Sequence, residues 1–246
     1  MSTIEKLWKR ILKDIHEKGS IHNKDDAEIK EILNISGWID SPIQNNDAVF
    51  VGSKMFVDLV RAGLYDIPEY NIKGDALADY VDSINDKEKI HLDYNDSSAF
   101  VYTYPERLKA MPVSNKYDNF MVDTKNQIDI MINRLLENSG SNRAVATLYN
   151  CGMDSFVDDI PCLNWVQALI RDDRLYLAVM FRSNDIYNAF PSNMMLLMNI
   201  GLIIVESLRF RYPNLSFYGV YYNCTSAHYY TSAVDDKIIK EIIYGN

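Results

Sequence analysis

The apolar residues of the N-terminal segment "MSTIEKLWKRILKDIHEKG" recur three and four positions apart, which is the spacing of one face of a helix. They run from Ile4 to Ile15. Ser2 and Glu5 have the spacing of a capping box at the start of this run, and Gly19 follows it as a stop signal. The pattern therefore predicts an amphipathic surface helix at the start of the chain.

The segment "TKNQIDIMINRLLENSG" has the same spacing, with apolar positions between Ile128 and Leu136 behind a capping box of Thr124 and Gln127. It predicts a second amphipathic helix. The most apolar run of the chain is "MMLLMNIGLIIVESL" (Met194–Leu208), which an asparagine and a glutamate interrupt. Because this run is shorter than a bilayer requires, it predicts a buried helix and no membrane anchor.

Four later segments are rich in β-branched and aromatic residues, which favour strands. They are "RAVATLYN", "NWVQALIRD", "RLYLAVMFRS" and "LSFYGVYYN". Side chains of a strand alternate between its two faces. In the third segment, Leu175, Leu177, Val179 and Phe181 therefore share one face, and Tyr176, Ala178, Met180 and Arg182 share the other. The polar residues Arg171–Arg174 predict a hairpin turn between the second and third segments.

The region between the first two helices is rich in Asp, Asn and Lys, and it predicts short strands and helices joined by long loops. Helical and extended segments alternate along the chain without an internal repeat. This order predicts an α+β fold, as one domain over residues 1–246, with a large sheet and the Met194–Leu208 helix packed on it. The length is suited to one sizeable core.

The net charge of −9 argues against a protein that binds a nucleic-acid groove, because the chain as a whole repels phosphates. A bound anion such as a free nucleotide must meet a local basic cluster. The three cysteines are too few and too scattered for a disulfide framework, and no Cys/His spacing resembles a zinc site. The N-terminus also lacks the cationic start and apolar middle of a signal peptide, so we expect a metal-free protein of the reducing cytoplasm.

Cys162 stands between a proline and an apolar run in "DDIPCLNWVQALIRD". A lone cysteine before a strand is usually a packing residue, and Cys151 and Cys224 are interpreted in that way. Several short motifs accompany Cys162 in chain order. They are Pro-Cys with Gln167 five residues later, "RSND" (Arg182–Asp185), "FPSN" ending at Asn193, and "NCTSAHYY" with His228 and Tyr230. In this order and spacing the motifs resemble the thymidylate synthase and pyrimidine nucleotide hydroxymethylase family, over about Gly140–Tyr230.

The resemblance implies a single thymidylate synthase-like domain with a large mixed sheet, a homodimer with shared active sites, and 5,10-methylenetetrahydrofolate as the one-carbon donor. It also implies a role for each matching residue. Cys162 matches the nucleophile, and Tyr102 matches a tyrosine beside it. Arg182 and Ser183 match the pair that holds the phosphate, and Arg143 matches an arginine that reaches the phosphate bound in the neighbouring subunit. Asp185 matches an acidic residue near the pyrimidine and the folate, Asn193 matches the residue that hydrogen-bonds the base edge, and His228 and Tyr230 match the pair that holds the sugar hydroxyl.

The reaction requires these residue types. C5 of a pyrimidine is too weak a nucleophile to attack a one-carbon donor, but a thiolate added at C6 makes an enolate that can attack. A cation such as Arg182 near Cys162 favours the thiolate, and the planar fork of arginine also suits a phosphate. With the resemblance included, the nucleophile interpretation of Cys162 is favoured over the packing interpretation.

Several positions depart from the family pattern. Leu163 follows the cysteine where methylating members carry a histidine, and "CLNWVQALIRD" and "RSND" are closer to the phage hydroxymethylases. Asn142 replaces the second arginine of the phosphate pair, and Lys24 is the nearest basic substitute for an arginine-rich loop. The catalytic glutamate has no clear counterpart, although Asp58 or Glu69 could stand in for it. The sequence stops at "IIYGN", without the longer tail that closes over the folate in methylating members.

These departures favour hydroxymethylation of dUMP or dCMP, because an open site admits water to the one-carbon intermediate. Two alternatives are reductive methylation of dUMP, as in a thymidylate synthase, and a binding protein that keeps the nucleotide site without the reaction. The base and the sugar stay open, since an asparagine amide can serve uracil or cytosine. Asn193 could instead cap the Met194–Leu208 helix, His228 could be a half-buried structural histidine, and Arg143 could be a surface charge.

Overall fold

The structure is a computed structural model that describes residues 3–24, 27–41, 51–85, 102–115 and 118–245. Helices and strands alternate along it. The helices are α1 (Thr3–Lys18), α2 (Ser53–Arg61), α3 (Gly74–Asp82), α4 (Tyr104–Lys109), α5 (Gln127–Glu137), α6 (Cys151–Asp154), α7 (Phe190–Leu208) and α8 (Asp236–Tyr244). The strands are β1 (Ser20–Lys24), β2 (Ala27–Asp40), β3 (Met111–Asn115), β4 (Asp118–Lys125), β5 (Val145–Thr147), β6 (Leu163–Arg171), β7 (Arg174–Asp185) and β8 (Ser216–Tyr230).

Six strands form one mixed sheet in the order β1-β2-β8-β7-β6-β5, and β3 pairs with β4 separately. Strands β7 and β8 run parallel, with α7 as the crossover between them, and the other neighbours in the large sheet are antiparallel. The predicted hairpin between β6 and β7 is confirmed. Its central residues Asp172 and Asp173 have positive φ values of 50° and 55°, the conformation of a type I′ turn, which twists in the same sense as the strands.

The core lies between the sheet and the helices around α7. The predicted alternation in β7 is confirmed, because Leu175, Leu177, Val179 and Phe181 are fully buried while Met180 is 40% exposed. Helix α7 has the length and hydropathy of a membrane span, but 83% of its apolar window is buried inside the fold, as in a core helix. The helix can approach β8 closely because it carries Gly201, where a Cβ atom would lie 2.3 Å from the Phe217 ring.

Helix α1 supplies a second part of the core, as its apolar spacing predicts. Trp8 is fully buried and its Nε1 donates a hydrogen bond of 2.6 Å to the carbonyl oxygen of Ile186. Leu7 packs against Gly37 of β2, so α1 lies directly on the sheet. Ser2, the predicted capping residue, lies outside the described residues.

Two predicted helix starts are wrong. Helix α7 begins at Phe190, after Ala189, because Pro191 fits the first turn of a helix; Asn193 therefore lies inside the helix and does not cap it. Helix α5 is capped by Asn126, whose side chain accepts hydrogen bonds from the two N–H groups that follow Gln127. Thr124 belongs to β4 instead, and asparagine is the more favoured of the two residue types at an N-cap.

The sequence-based interpretation also missed β2, a strand of fourteen residues in the Asp- and Asn-rich region. It pairs with β8 from Ile29 to Asp40. Asn34 interrupts the pairing with a φ of 59°, and polar residues occupy many of the other positions. The strand matters for the site because it places N-terminal residues beside the histidine end of β8.

Candidate active site

Cys162 lies immediately before β6 and is half-buried. Its Sγ is 3.4 Å from the Oγ of Ser183, at the end of β7. The backbone N–H of Arg182 donates a hydrogen bond of 2.9 Å to the carbonyl oxygen of Cys162. The pairing of β6 with β7 therefore brings the predicted nucleophile and the predicted phosphate pair together.

The guanidinium group of Arg182 holds the turn that precedes the cysteine. Its Nη2 donates to the carbonyl oxygen of Ile160 at 2.7 Å, and its Nε to that of Pro161 at 3.1 Å. The third contact is from Nη1 to the Oγ of Ser183 at 3.2 Å. This arrangement fixes a positive charge beside Ser183 and Cys162, where it can bind an anion.

Two tyrosines stand beside the cysteine. The hydroxyl group of Tyr102 donates to the carbonyl oxygen of Ile160 at 3.0 Å, and its ring stacks on Tyr104 with centroids 6.3 Å apart. Burial raises the pKa of both tyrosines, and the nearby negative charge of Asp159 raises the pKa of Tyr102 further. Both are therefore neutral phenols. Tyr102 was predicted from the sequence, whereas Tyr104 was not.

A chain of amides and tyrosines surrounds the predicted base-binding residue. The hydroxyl group of Tyr80 donates to Oδ1 of Asn193 at 2.7 Å, and Nδ2 of Asn193 is 3.5 Å from Oδ1 of Asn184. Asn184 in turn donates through Nδ2 to the hydroxyl oxygen of Tyr222 at 3.2 Å. Burial raises the pKa of Tyr80, so this hydroxyl keeps its proton and donates it. These contacts hold the amide of Asn193 in one orientation.

His228 and Tyr230 lie together at the end of β8. Their rings are perpendicular, with centroids 5.4 Å apart. His228 is almost fully buried, and its pKa is lowered first by that burial and then by the positive charge of Lys24. The Nζ of Lys24 donates to the hydroxyl oxygen of Tyr230 at 3.1 Å. Lys24, a candidate substitute for a phosphate-binding arginine, thus lies at the end of the site predicted to hold the sugar.

Asp185 pairs in register with His228 across β7 and β8. Its carboxylate accepts hydrogen bonds from the backbone N–H groups of Tyr187 and Asn188, both at 3.1 Å, and from Nδ2 of Asn188 at 2.8 Å. These bonds close the turn between β7 and α7. Asp185 therefore fixes the turn that joins the end of β7 to α7.

A family model for thymidylate synthase matches residues 85–242, which is more than half of the chain. This chain belongs to the thymidylate synthase family. The match begins well before the region in which the sequence motifs carried the resemblance, and it includes Tyr102, Cys162 and the strands that hold Arg182 and His228.

Three relatives carry the name "Putative thymidylate synthase". The protein from Methanocaldococcus jannaschii is 34% identical over 152 residues, which cover 60% of this chain and 63% of the relative. That from Methanothermobacter thermautotrophicus is 30% identical over 190 residues, or 76% of this chain and 74% of the relative. That from Methanococcoides burtonii is 27% identical over 244 residues, or 98% and 93%.

Three candidate site residues, Asp58, Glu69 and Arg143, have no contact with Cys162 among the described residues. Asp58 is on the exposed side of α2, with its Oδ2 3.0 Å from Nζ of Lys54. Glu69 binds Lys9 of α1 at 2.6 Å. Within the described part of the chain, neither carboxylate has a hydrogen bond or ion pair to Cys162 or Asn193. Arg143 is exposed in the loop before β5.

The residues that sequence reasoning missed are mostly tyrosines and amides of the surrounding shell. For Tyr104 a local signal was present, because "TYPE" has the Ser/Thr-x-x-Glu spacing of a capping box with a proline in the first turn. The structure contains that box, formed by Thr103 and Glu106 at the start of α4. For Tyr80 and Asn184 we find no comparable local signal.

Proposed function

We propose that this chain transfers a one-carbon unit to C5 of a pyrimidine nucleoside monophosphate, with methylenetetrahydrofolate as its second substrate. Family membership supports this class of C1 transfer. The observation that carries the proposal is the position of the half-buried Cys162 thiol, 3.4 Å from Ser183 Oγ and beside the guanidinium of Arg182. A nucleophile and an anion-binding pair at this separation suit a nucleotide whose base and phosphate are both held.

In the proposed mechanism the thiolate of Cys162 adds to C6 of the pyrimidine, and the resulting enolate attacks the one-carbon group through C5. Arg182 and Ser183 hold the phosphate, and the charge of Arg182 also favours the thiolate. Asn193 orients the base. Loss of the C5 proton then expels tetrahydrofolate and leaves an exocyclic methylene on the base. Water adds to this methylene as a hydroxymethyl group, and elimination of the Cys162 thiolate from C6 restores the aromatic base, so Cys162 is released unchanged.

We favour hydroxymethylation as the outcome. Methyl transfer needs a hydride from the folate in a site kept dry, whereas hydroxymethylation needs water. The residue after the cysteine, Leu163, is buried in the core and presents no imidazole to the site. Asn164 donates through Nδ2 to the carbonyl oxygen of Pro161 at 2.9 Å. Its side-chain oxygen Oδ1 accepts no hydrogen bond from the described residues, so this atom can hold a water molecule. Asp185 is the weaker candidate for that water because three N–H groups already occupy it.

The test is incubation with dUMP, dCMP, UMP and CMP, each labelled with tritium at C5, together with methylenetetrahydrofolate. We expect tritium release, a hydroxymethyl product by mass spectrometry, and tetrahydrofolate as the folate product. Stoichiometric dihydrofolate would establish reductive methylation instead. Micromolar nucleotide binding without tritium release from any of the four would favour the alternative of a binding protein.

We also propose a homodimer with shared sites. The sheet face opposite the helices carries exposed apolar residues, Met180 at 40% and Tyr221 at 45%, beside the ring cluster of Trp38, Tyr176 and Tyr218. Such a patch suits a subunit interface. It would also give the exposed Arg143 a route to the partner's phosphate.

Subunit exchange tests this arrangement. Arg143→Ala and Cys162→Ser proteins should each be impaired alone, yet a mixture should regain activity, because one site of each mixed dimer is intact. At equal amounts, about a quarter of the wild-type sites should return if exchange is random. Confirmed exchange without recovery would show that Arg143 does not complete a site in the other subunit.

A further inference from the structure

A carboxylate and a hydroxyl group stand behind His228. Glu31 of β2 lies directly opposite His228 of β8 in the sheet register. The Oγ of Ser226 donates a hydrogen bond to Oε1 of Glu31. An ionised carboxylate can only accept, so the single hydroxyl hydrogen of Ser226 is committed to Glu31.

This commitment determines which nitrogen of His228 carries the proton. The Nδ1 atom of His228 is 3.5 Å from Oγ of Ser226 and 3.4 Å from the carbonyl oxygen of the same residue. A carbonyl oxygen can only accept, and the hydroxyl of Ser226 has no second hydrogen to give. Both neighbours of Nδ1 are therefore acceptors, so the proton belongs on Nδ1. Burial keeps the ring neutral by lowering the pKa of His228, which leaves Nε2 as a bare acceptor.

Tyr230 has the opposite polarity. The ammonium group of Lys24 has only donors to offer, and it lies 3.1 Å from the hydroxyl oxygen of Tyr230 and 5.4 Å from the ring centroid. The tyrosine oxygen therefore accepts from Lys24. Its hydroxyl group donates no hydrogen bond to any described residue, so its hydrogen is available for a substrate.

We propose that Glu31, acting through Ser226, and Lys24 are positioning residues that set His228 as an acceptor and Tyr230 as a donor for one sugar hydroxyl. The inference rests on the proposed nucleotide function. A hydroxyl group gives one hydrogen and accepts through its lone pairs, so it satisfies both residues at once. A phosphate oxygen would leave Nε2 without a donor, and a deoxy carbon would leave both groups without a partner.

The first experiment reads the tautomer of His228 in the protein without nucleotide. Long-range ¹H–¹⁵N spectra separate a protonated ring nitrogen from a bare one, and a His228→Gln spectrum identifies the signals. We expect Nδ1 to be protonated in the wild type, and Ser226→Ala to shift the population toward the Nε2 form. A wild-type ring with its proton on Nε2 would overturn the proposal, whatever the enzyme does with nucleotides.

The second experiment compares the binding of dUMP with that of its 2′,3′-dideoxy analogue, which lacks the free sugar hydroxyl. Loss of a pair of hydrogen bonds should weaken binding by about tenfold or more in the wild type. Glu31→Gln and Lys24→Met should each reduce this ratio to within about threefold. His22→Gln is the matched control, because His22 lies 3.6 Å from the other oxygen of Glu31 and carries neither of these contacts.

The ratio separates the proposal from its competitors. If Lys24→Met weakened both nucleotides equally, Lys24 would be a phosphate ligand and not a positioning residue. An equal loss of both nucleotides in Glu31→Gln would likewise remove Glu31 from the proposed role. Failure of the wild type to bind any of these nucleotides would count against the proposed function, while the tautomer measurement would still test the polarity of His228.

Discussion

The candidate site has two walls that differ in chemistry and in how a sequence reveals them. The sheet wall consists of Cys162, Arg182, Ser183 and His228 at strand ends, and its residues can bond to a substrate or carry charge. The tyrosine wall consists of Tyr70, Tyr80, Tyr102 and Tyr104, from α3, α4 and the adjoining loops. Tyr70 and Tyr102 are buried and Tyr80 and Tyr104 are half-buried, and most of their hydroxyl groups donate to fixed acceptors of the protein.

The contacts show what the tyrosine wall contributes. Tyr70 donates to the carbonyl oxygen of Asn188 at 2.7 Å, Tyr80 to Asn193 at 2.7 Å, and Tyr102 to Ile160 at 3.0 Å. Burial raises the pKa of all three tyrosines, so they stay protonated. The acceptors belong to the loops and amides that hold the sheet wall. The tyrosine wall therefore positions residues, while the groups that react in the proposed mechanism belong to the sheet wall.

The strongest test of this division is the removal of the nucleophile. Cys162→Ser should lower turnover by at least about a thousandfold while the fold persists, because an alcohol without a strong base is a poor nucleophile at neutral pH. Tritium release from C5 measures the chemical step directly. The variant should still bind nucleotide, since the phosphate and sugar contacts remain.

The other two cysteines are matched controls. Cys151 is exposed, and Cys224 is buried with its pKa raised to about 11, so it stays a thiol at neutral pH. Cys151→Ser should retain activity, and alkylation at neutral pH should modify Cys162 while sparing Cys224. Full activity in Cys162→Ser would show that Cys162 is not the nucleophile and that the reaction does not depend on the sheet wall.

The grouping of the sheet-wall residues could be predicted from sequence because the covalent and ionic roles proposed for them tolerate few residue types. "PC", "RSND" and "HYY" keep such residues at short spacing, and the alternation of β7 identified its buried face. The type I′ turn at Asp172 and Asp173 was recognisable as a polar break between two strands. Local patterns were sufficient where the side chains of one strand share one environment.

The tyrosine wall and β2 could not be predicted because their roles arise from distant contacts. Tyr80 is hydrogen-bonded to Asn193, which is 113 residues away in the chain, and the sequence around Tyr80 contains no signal of that contact. Strand β2 alternates poorly because one face meets different neighbours along its length: α1 packs at Gly37, while Glu31, six residues earlier, accepts a hydrogen bond from Ser226 of β8. Asp58 was chosen by position in the chain, but helix α2 turns it to solvent.

The tyrosine wall has its own support, a buried ion pair. Nη2 of Arg107 is 2.6 Å from Oδ1 of Asp154, both side chains are almost fully buried, and the guanidinium lies 5.4 Å from the Tyr102 ring centroid. Arg107→Met should reduce the free energy of unfolding by about 3–5 kcal/mol, because it leaves a buried carboxylate without its counter-charge. Urea denaturation measures the change.

A second variant separates charge from packing. Adding Asp154→Asn to Arg107→Met should recover part of the lost stability, since no buried charge remains. The exposed pair of Lys54 and Asp58 is the control, and Asp58→Asn should leave the unfolding midpoint nearly unchanged. A collapse of activity in Asp58→Asn would instead show that this residue acts as the missing catalytic carboxylate. The active site would then include a reacting group that belongs to neither wall.

The smallest expected effect concerns the base. With Tyr80 donating to Oδ1, Asn193 keeps one acceptor site on that oxygen and one hydrogen on Nδ2. Uracil matches this edge with its N3–H donor and O4 acceptor. Cytosine has the opposite pattern, so the amide of Asn193 must rotate by half a turn to bind it. The rotation moves Oδ1 away from the buried hydroxyl of Tyr80, which then has no acceptor for its hydrogen. We therefore expect dUMP to bind more tightly than dCMP.

Tyr80→Phe should weaken that preference by about five- to tenfold, the equivalent of one hydrogen bond, because the amide of Asn193 can then turn over without leaving a buried hydroxyl unpaired. Calorimetric affinities for dUMP and dCMP give the ratio. Tyr70→Phe is the matched control, since Tyr70 bonds to Asn188 and Ser192 and has no hydrogen bond to Asn193. An unchanged ratio in Tyr80→Phe would mean that Asn184 alone orients the amide, so that the sheet side, not the tyrosine wall, selects the base.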